Sequence, residues 1–242
     1  MSQPRFYRRW VASGLVNFTV REGQTDIFIS AEKDLKKKAE ELIRRYRKDI
    51  SDYIKLNPEF QITLKPMPPD ENAPLIVKKM LKASRLANVG PMAAVAGAIS
   101  EFAGKGLLEY TSQVILENGG DIFIKTDKER KIGIYAGKSV LSGKVAIRIK
   151  PERTPIGIST SSGTVGHSLS FGKANAVTVV SPDGALADAC ATASCNRVKT
   201  RADIKGALDY AKSIEGIEGC VVIYEDKIGS IGEVELIRGG AQ

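Results

Sequence analysis

The sequence predicts an α+β fold with a largely antiparallel sheet, and three observations carry that expectation. Helical and strand patterns come in blocks rather than in regular alternation. Six β-rich runs follow one another between residues 114 and 180. Hairpin signals stand near both ends of the chain.

The elements follow in order. Residues 16–20 and 26–29 are β-rich runs around Arg21-Glu22-Gly23-Gln24, which predicts a hairpin. Ser30 is placed to cap the next helix. There Leu35, Ala39, Leu42, Ile43, Tyr46, Ile50, Tyr53 and Ile54 recur at three- and four-residue spacing up to Pro58. Residues 60–64 read as a short strand. Pro66, Pro68, Pro69 and Pro74 then mark a linker. A strand–helix–strand unit over residues 1–64 is therefore expected ahead of a core over 75–242, the alternative being one continuous domain. Pro74 opens a helix that runs to about residue 88. After Gly90-Pro91, an alanine-dominated run over 92–100 predicts a closely packed helix. Strands are expected at 114–117, 121–125, 132–135, 145–149, 156–160 and 176–180, and helices at 186–197 and 203–214. A last hairpin should pair 220–224 with 234–237 through Glu225-Asp226-Lys227.

Composition bounds the function. The 242 residues are 43% hydrophobic and 26% charged, an ordinary globular balance. No stretch approaches the roughly 20 apolar residues of a membrane span, and residues 1–10 carry Arg5, Arg8 and Arg9 with no apolar run behind them. With no export signal and no cysteine near the start, the three cysteines are expected as reduced thiols in the cytosol. The net charge of +8 invites a nucleic-acid reading, since residues 1–55 hold 13 Lys and Arg against 8 Asp and Glu. Most of these lie on one helix, where Lys36, Lys37, Lys38, Arg44, Arg45, Arg47 and Lys48 alternate with Glu32, Asp34, Glu40, Glu41 and Asp49. Interleaved opposite charges mark a solvated face, and no nucleic-acid motif accompanies them. Neither nucleic acid nor membrane is expected as a partner.

Three segments could carry chemistry. Glu117-Asn118-Gly119-Gly120-Asp121 lies between two strands. It suits either a plain hairpin or an approach of a ligand to exposed backbone N–H groups. Ser159-Thr160-Ser161-Ser162-Gly163-Thr164 is either a solvated loop or a set of donors for phosphate or a polar ring; His167, the single histidine, follows it. In Ala187-Asp188-Ala189-Cys190-Ala191-Thr192-Ala193-Ser194-Cys195, helical spacing puts Asp188 and Thr192 on one face. Such a pair offers the hard oxygen donors that Mg²⁺ takes. The alternative is a buried small-residue helix whose Asp188 serves the helix dipole.

Taken together, these segments resemble the ApbE superfamily, whose best-known members are FAD:protein FMN transferases. The order matches: a strand and Gly-Gly turn over 115–122, a Thr-Ser-Gly-like segment over 160–163, His167, a strand over 176–180, and Leu186-Ala187-Asp188-Ala189-Cys190-Ala191-Thr192-Ala193. The last closely follows the family's A-D-A-x-[AS]-T-A signature. The resemblance spans roughly residues 75–237. It implies a T-fold-related mixed sheet with packed helices, Mg²⁺ on Asp188 and Thr192, and FAD or another flavin nucleotide beside it. Asn118, Gly119, Gly120, Asp121, Thr160, Ser161, Ser162 and Gly163 would then line the pocket, with His167 as acid/base. The chain also departs from the pattern. The family's G-G-x-x-K-G-Y-A-x-D appears as Gly90-Pro91-Met92-Ala93-Ala94-Val95-Ala96-Gly97-Ala98, without the Lys or the acid. Its H-x-x-D-P-x-T-G appears as His167-Ser168-Leu169-Ser170-Phe171-Gly172-Lys173-Ala174, without Asp-Pro. The lipoprotein start is also missing, which implies a divergent cytosolic branch.

The leading functional expectation is therefore binding of a flavin or related diphosphate nucleotide with Mg²⁺, with FMN transfer absent or very slow. A different class of function, thiol or sulfur handling, would use Cys190 and Cys195, because a thiolate near a helix start can be activated.

Overall fold

The computed structural model describes residues 14–164 and 171–240. An eight-stranded antiparallel sheet runs through it. In chain order its strands are β1 (Val16–Glu22), β2 (Thr25–Ala31), β3 (Val114–Asn118), β4 (Asp121–Lys125), β7 (Ile156–Ser161), β8 (Ala176–Ser181), β9 (Gly219–Tyr224) and β10 (Lys227–Gly232), which is also their order across the sheet. The chain between β4 and β7 leaves the sheet to form β5 (Arg130–Gly133) and β6 (Val145–Ile149). With β11 (Leu236–Arg238), these make a second, three-stranded sheet in the order β11-β6-β5. Every pairing in both sheets is antiparallel.

The period-2 alternation of the central strands divides the interior in two. Val114, Leu116, Phe123, Val177, Val179 and Val222 face a helical layer made of α1 (Lys36–Leu56), α3 (Leu75–Leu86), α4 (Val95–Leu107), α5 (Gly184–Arg197) and α6 (Ile204–Lys212). Their neighbours Ile115, Ile124, Ile156, Ile158, Val180, Val221 and Ile223 face the opposite way, onto Ile147 and Ile149 of β6. Strands covered on both faces read as near-continuous apolar runs, which is why β3, β8 and β9 were conspicuous in the sequence. Phe123 is fully buried against Gly104 of α4, where an added Cβ would stand 2.1 Å from the ring. Burial of such a ring is worth roughly 2–3 kcal/mol.

The N-terminal hairpin forms as expected, with Val16 opposite Ala31 and Glu22 opposite Thr25, and β2 continues the main sheet beside β3. Helix α1 buries Ala39, Leu42, Ile43, Ile50 and Tyr53. Several of its basic residues are tied to acids, as in Lys55–Asp52 at 2.8 Å, Lys38–Glu41 at 3.0 Å and the Lys48–Asp52 pair. No single helix among the described residues is long and apolar enough to cross a membrane.

Three local expectations need correction. Ser30 does not cap α1: it sits within β2 and donates its hydroxyl to Asn17 Oδ1 at 2.6 Å, while Asp34 Oδ1 accepts the Lys36 N–H. Residues 60–64 are not a strand; Glu59–Ile62 is a short helix, α2. Phe60 alone of this run turns inward, stacking edge-to-face on Tyr53 at 5.1 Å, while Ile62 and Leu64 stay exposed. The final hairpin pairs β9 with β10, not with residues 234–237, through a two-residue turn in which Glu225 adopts φ 54°. The chain then crosses to the small sheet, where Leu236 faces Ile147. Strand β10 reads Lys-Ile-Gly-Ser-Ile-Gly, too poor in β-branched residues to stand out. Its Gly229 leaves room for Ile204 and Leu208 of α6, each 2.9 Å from an added Cβ.

Candidate functional site

The site is built where the start of α4 and the first half of α5 lie over the ends of β3, β4 and β7. Gly-to-Gly contacts set the approach. A Cβ on Gly157 would stand 2.5 Å from Gly184 Cα, and one on Gly97 would stand 2.2 Å from Gly184 O and 2.8 Å from Asp188 Cβ. At the far end, Gly172 is just as close to the Cys195 carbonyl, and Gly163 to Gly172. Helix α5 therefore runs along β7 in the same direction. At 1.5 Å per helical residue and about 3.4 Å per strand residue, Asp188 lies about 6 Å along the helix from Gly184, and Ser159 about 7 Å along the strand from Gly157. By the same spacing Thr192 comes over Ser161.

Ser159 and Ser161 alternate with Ile158, so their side chains face the helices, as does that of Asp121, the register partner of Ser159. Both serines are buried, and neither hydroxyl makes a hydrogen bond among the described residues. Thr160 points to the opposite face, where its Oγ1 lies 2.9 Å from Thr178 Oγ1. Ser162 Oγ closes a local turn by accepting the Thr164 N–H at 3.1 Å, and Gly163 N–H donates to Ala174 O at 3.0 Å. His167 lies outside the described residues.

Asn118, Gly119, Gly120 and Asp121 make a two-residue hairpin turn with φ of 70° and 111° at the glycines, values an L side chain resists. The Gly120 N–H is taken by Glu117 Oε1 at 2.9 Å. Asn118 Nδ2 donates to Ala96 O at 3.3 Å, and Ser100 donates to Asp121 O at 3.2 Å, so the turn is bound to α4 from both sides.

Asp188 is half-buried and accepts the Gly97 N–H at 2.9 Å, holding one of the open donors in the first turn of α4. It thus serves the dipole of the neighbouring helix rather than its own. Burial pushes its carboxyl up to about 7 against the opposing pull of the Gly97 and Ala96 N–H groups. Asp121, buried more deeply, is raised well above the usual range by burial first and then by the Asp188 charge. The Ser159 hydroxyl offsets part of this, although its geometry falls short of a hydrogen bond. Two acids thus face one small space. Among the described residues no three His, Cys, Asp or Glu side chains converge on one point, so these residues form no closed cage for a metal ion.

The other end of this assembly is fixed by a residue the sequence did not single out. Glu101, almost fully buried on α4, accepts the Gly184 N–H at 2.8 Å and pairs with Lys105 at 2.6 Å and Lys79 at 3.5 Å. Asp183 caps α5 through the Leu186 N–H and binds Lys79 at 2.8 Å. Glu101 and the role of Gly97 were missed, and Ser159, although named in the hydroxyl-rich segment, was left out of the expected pocket. The Ser-x-Ser alternation on β7 was the one signal that could have revealed Ser159.

The thiol reading fails on this geometry. Cys190, Cys195 and Cys220 are buried, and burial drives the Cys190 thiol up to about 12, with Ser194 and Arg197 opposing only in part. Burial also raises Cys220. None of this resembles an activated thiolate.

A family model described as "AbpE bacteria" matches residues 8–235. The chain belongs to this ApbE-like family. Its relatives include a UPF0280 protein of Methanocaldococcus jannaschii, 44% identical over 222 residues and covering 89% of this chain and 90% of that one. A UPF0280 protein of Methanococcus aeolicus is 43% identical over 201 residues, with 81% of each covered. Among solved structures, a variant of the flavin transferase ApbE from Vibrio cholerae superposes with a TM-score of 0.58 at 15% identity, over 90% of this chain and 97% of that one. The ApbE protein of Thermotoga maritima gives 0.56 at 13% identity, over 90% and 97%. At such identities the likeness is one of fold, and it places the ApbE-like chain in the same α+β architecture.

Proposed function

We propose that this ApbE-like chain binds a flavin or another diphosphate-containing nucleotide together with Mg²⁺, in the cytosol. The observation that carries the reading is the stacking of Asp188 and Thr192 on one face of α5 above the buried hydroxyls of Ser159 and Ser161, which make no hydrogen bond among the described residues. The donor set fits the ion. It consists of hard oxygens, one charged and one neutral on the helix, and it is too sparse to enclose a cation without phosphate and water oxygens. When bound, Mg²⁺ would supply charge neutralisation for the diphosphate. The chain's own residues do the rest. The Asn118–Asp121 turn forms the floor, and Ser161 and Gly163 line the side toward the end of α5. Asp188 braces α4 against α5 through Gly97, which keeps the helices at a fixed spacing around the ligand. His167 serves as the acid/base group.

Calorimetry with ADP and with FAD, each with and without Mg²⁺, tests this on wild type and Asp188→Asn. The substitution should leave the fold intact and weaken Mg²⁺-dependent nucleotide binding by roughly tenfold or more, the scale of one lost charged contact. Equal affinities across all conditions would remove the metal–nucleotide reading and leave the fold alone.

A further inference from the structure

Asp121 belongs to the hairpin, not to the helix that carries the family signature, yet it faces the same space as Asp188. Its backbone is fixed twice, by the register with Ser159 and by Ser100 donating to its carbonyl at 3.2 Å. Its side chain is more than nine-tenths buried, with no basic residue paired to it among the described residues. The lysines of this region, Lys79 and Lys105, are instead drawn to Glu101 and Asp183 at the N-terminus of α5. A buried carboxylate beside a second one, with no counter-charge, is costly to keep in a fold. The two flanking hydroxyls compound the cost: among the described residues Ser159 and Ser161 are buried without a hydrogen bond of good geometry, although most hydroxyls in such positions find one. Both point into the space between the sheet and α5.

We infer that Asp121 is a second carboxylate ligand of the divalent cation, facing Asp188 across the site, with Ser159 completing the sheet side of the shell. The cation is then gripped between two elements, β4 and α5, rather than resting on one helix face. Two carboxylates with neighbouring hydroxyls and the remaining positions open suit a small hard cation that keeps water and phosphate oxygens. The inference rests on the proposed cation site but concerns a different residue, so the two can fail separately.

The test uses the full chain, with Mn²⁺ and Mg²⁺ titrated alone and then with ADP, and reads both calorimetric affinity and the cation-induced rise in Tm. Asp121→Asn keeps the shape and removes the acid that is costly to bury. It should melt no lower than wild type without metal, while losing tenfold or more in cation affinity and most of the cation-induced rise in Tm. Ser159→Ala, a smaller change, should lose affinity several-fold. Asp226→Asn, an exposed acid beside Lys227, is the control and should behave as wild type. If Asp121→Asn and Ser159→Ala bind the cation as wild type does while Asp188→Asn does not, the inference is overturned and the proposed function stands. If Asp121→Asn abolishes cation binding but ADP and FAD never bind, the inference stands and the nucleotide reading falls. Absence of cation binding by wild type, with or without ADP, overturns both.

Discussion

Asp188 holds a carboxyl whose folded-state value of about 7 lies above the roughly 4 of an unfolded chain. Between these values the folded protein keeps a proton that the unfolded chain has released. Stability from this group therefore falls as pH rises from about 4 to about 7 and is level above that. Asp121 is displaced in the same direction and extends the fall. Glu32 and Asp52 act oppositely: both are lowered to about 2, chiefly by the Ser112 N–H and by Lys48 respectively, so their contribution is lost only on acidification below about 4. A melting series from pH 5 to 8 thus isolates the site. Without metal, Tm should drift down across it, and the Mg²⁺-induced rise in Tm should grow, because ionised carboxylates bind the cation and protonated ones do not. Asp188→Asn should flatten both trends, and unchanged slopes in that variant would place the titrating group elsewhere. At this scale the sequence was partly legible. The four-residue spacing of Asp188 and Thr192 announced itself, whereas the approach of Asp121 to Asp188 depends on a helix lying over a sheet strand far away in the chain.

Among elements, the crossing of α4 and α5 decides the geometry, and its means is the absence of side chains. An alanine at Gly97 would drive its Cβ into the Gly184 carbonyl and Asp188 Cβ, neither of which can swing aside. Gly97→Ala should therefore cost about 1–3 kcal/mol, as overpacking does, and weaken cation binding by moving Asp188. Gly206→Ala on α6 is the counterpart, since nothing lies within 4 Å of the added Cβ. It should instead gain up to about 1 kcal/mol through helix propensity. Chemical denaturation of both variants checks the pair of signs; a neutral Gly97→Ala would mean that the helices do not set the site. The alanine-rich run was readable as a closely packed helix, but its partner was not. Periodicity names the apolar face of a helix without saying which backbone it meets. Strand β10 and helix α2 escaped for a related reason. Glycines that make room for α6, and a single inward Phe60, leave little pattern to detect.

For the molecule as a whole, the fold is that of the flavin transferases, while segments of the transfer chemistry differ. The stretch before α4 has Pro91, Met92, Ala93 and Ala94 in a 3₁₀ turn where the family pattern places a lysine and, further on, an acid. Incubation with FAD, Mg²⁺ and an authentic acceptor protein should yield no covalent flavin, or only very slow labelling, even where nucleotide binding is measurable. Prompt appearance of fluorescent acceptor would show those two side chains to be dispensable. The architecture was legible because strands covered on both faces are rich in Val and Ile, and because the first two hairpin turns carry glycines, Gly23 and Gly119-Gly120. The return of the last strand to the small sheet was not, since nothing in Leu236, Ile237 and Arg238 distinguishes one sheet edge from another.

The three buried cysteines have a use of their own. Cys190 and Cys195 lie on α5, the helix that carries Asp188 and Thr192, and Cys220 lies on the strand beneath α6, all fully enclosed. A thiol reagent can reach them only when these elements part from the sheet. The wild-type chain thus contains its own clock for the opening of α5, with no label to be engineered, and any ligand that clasps α5 to the hairpin must slow that clock.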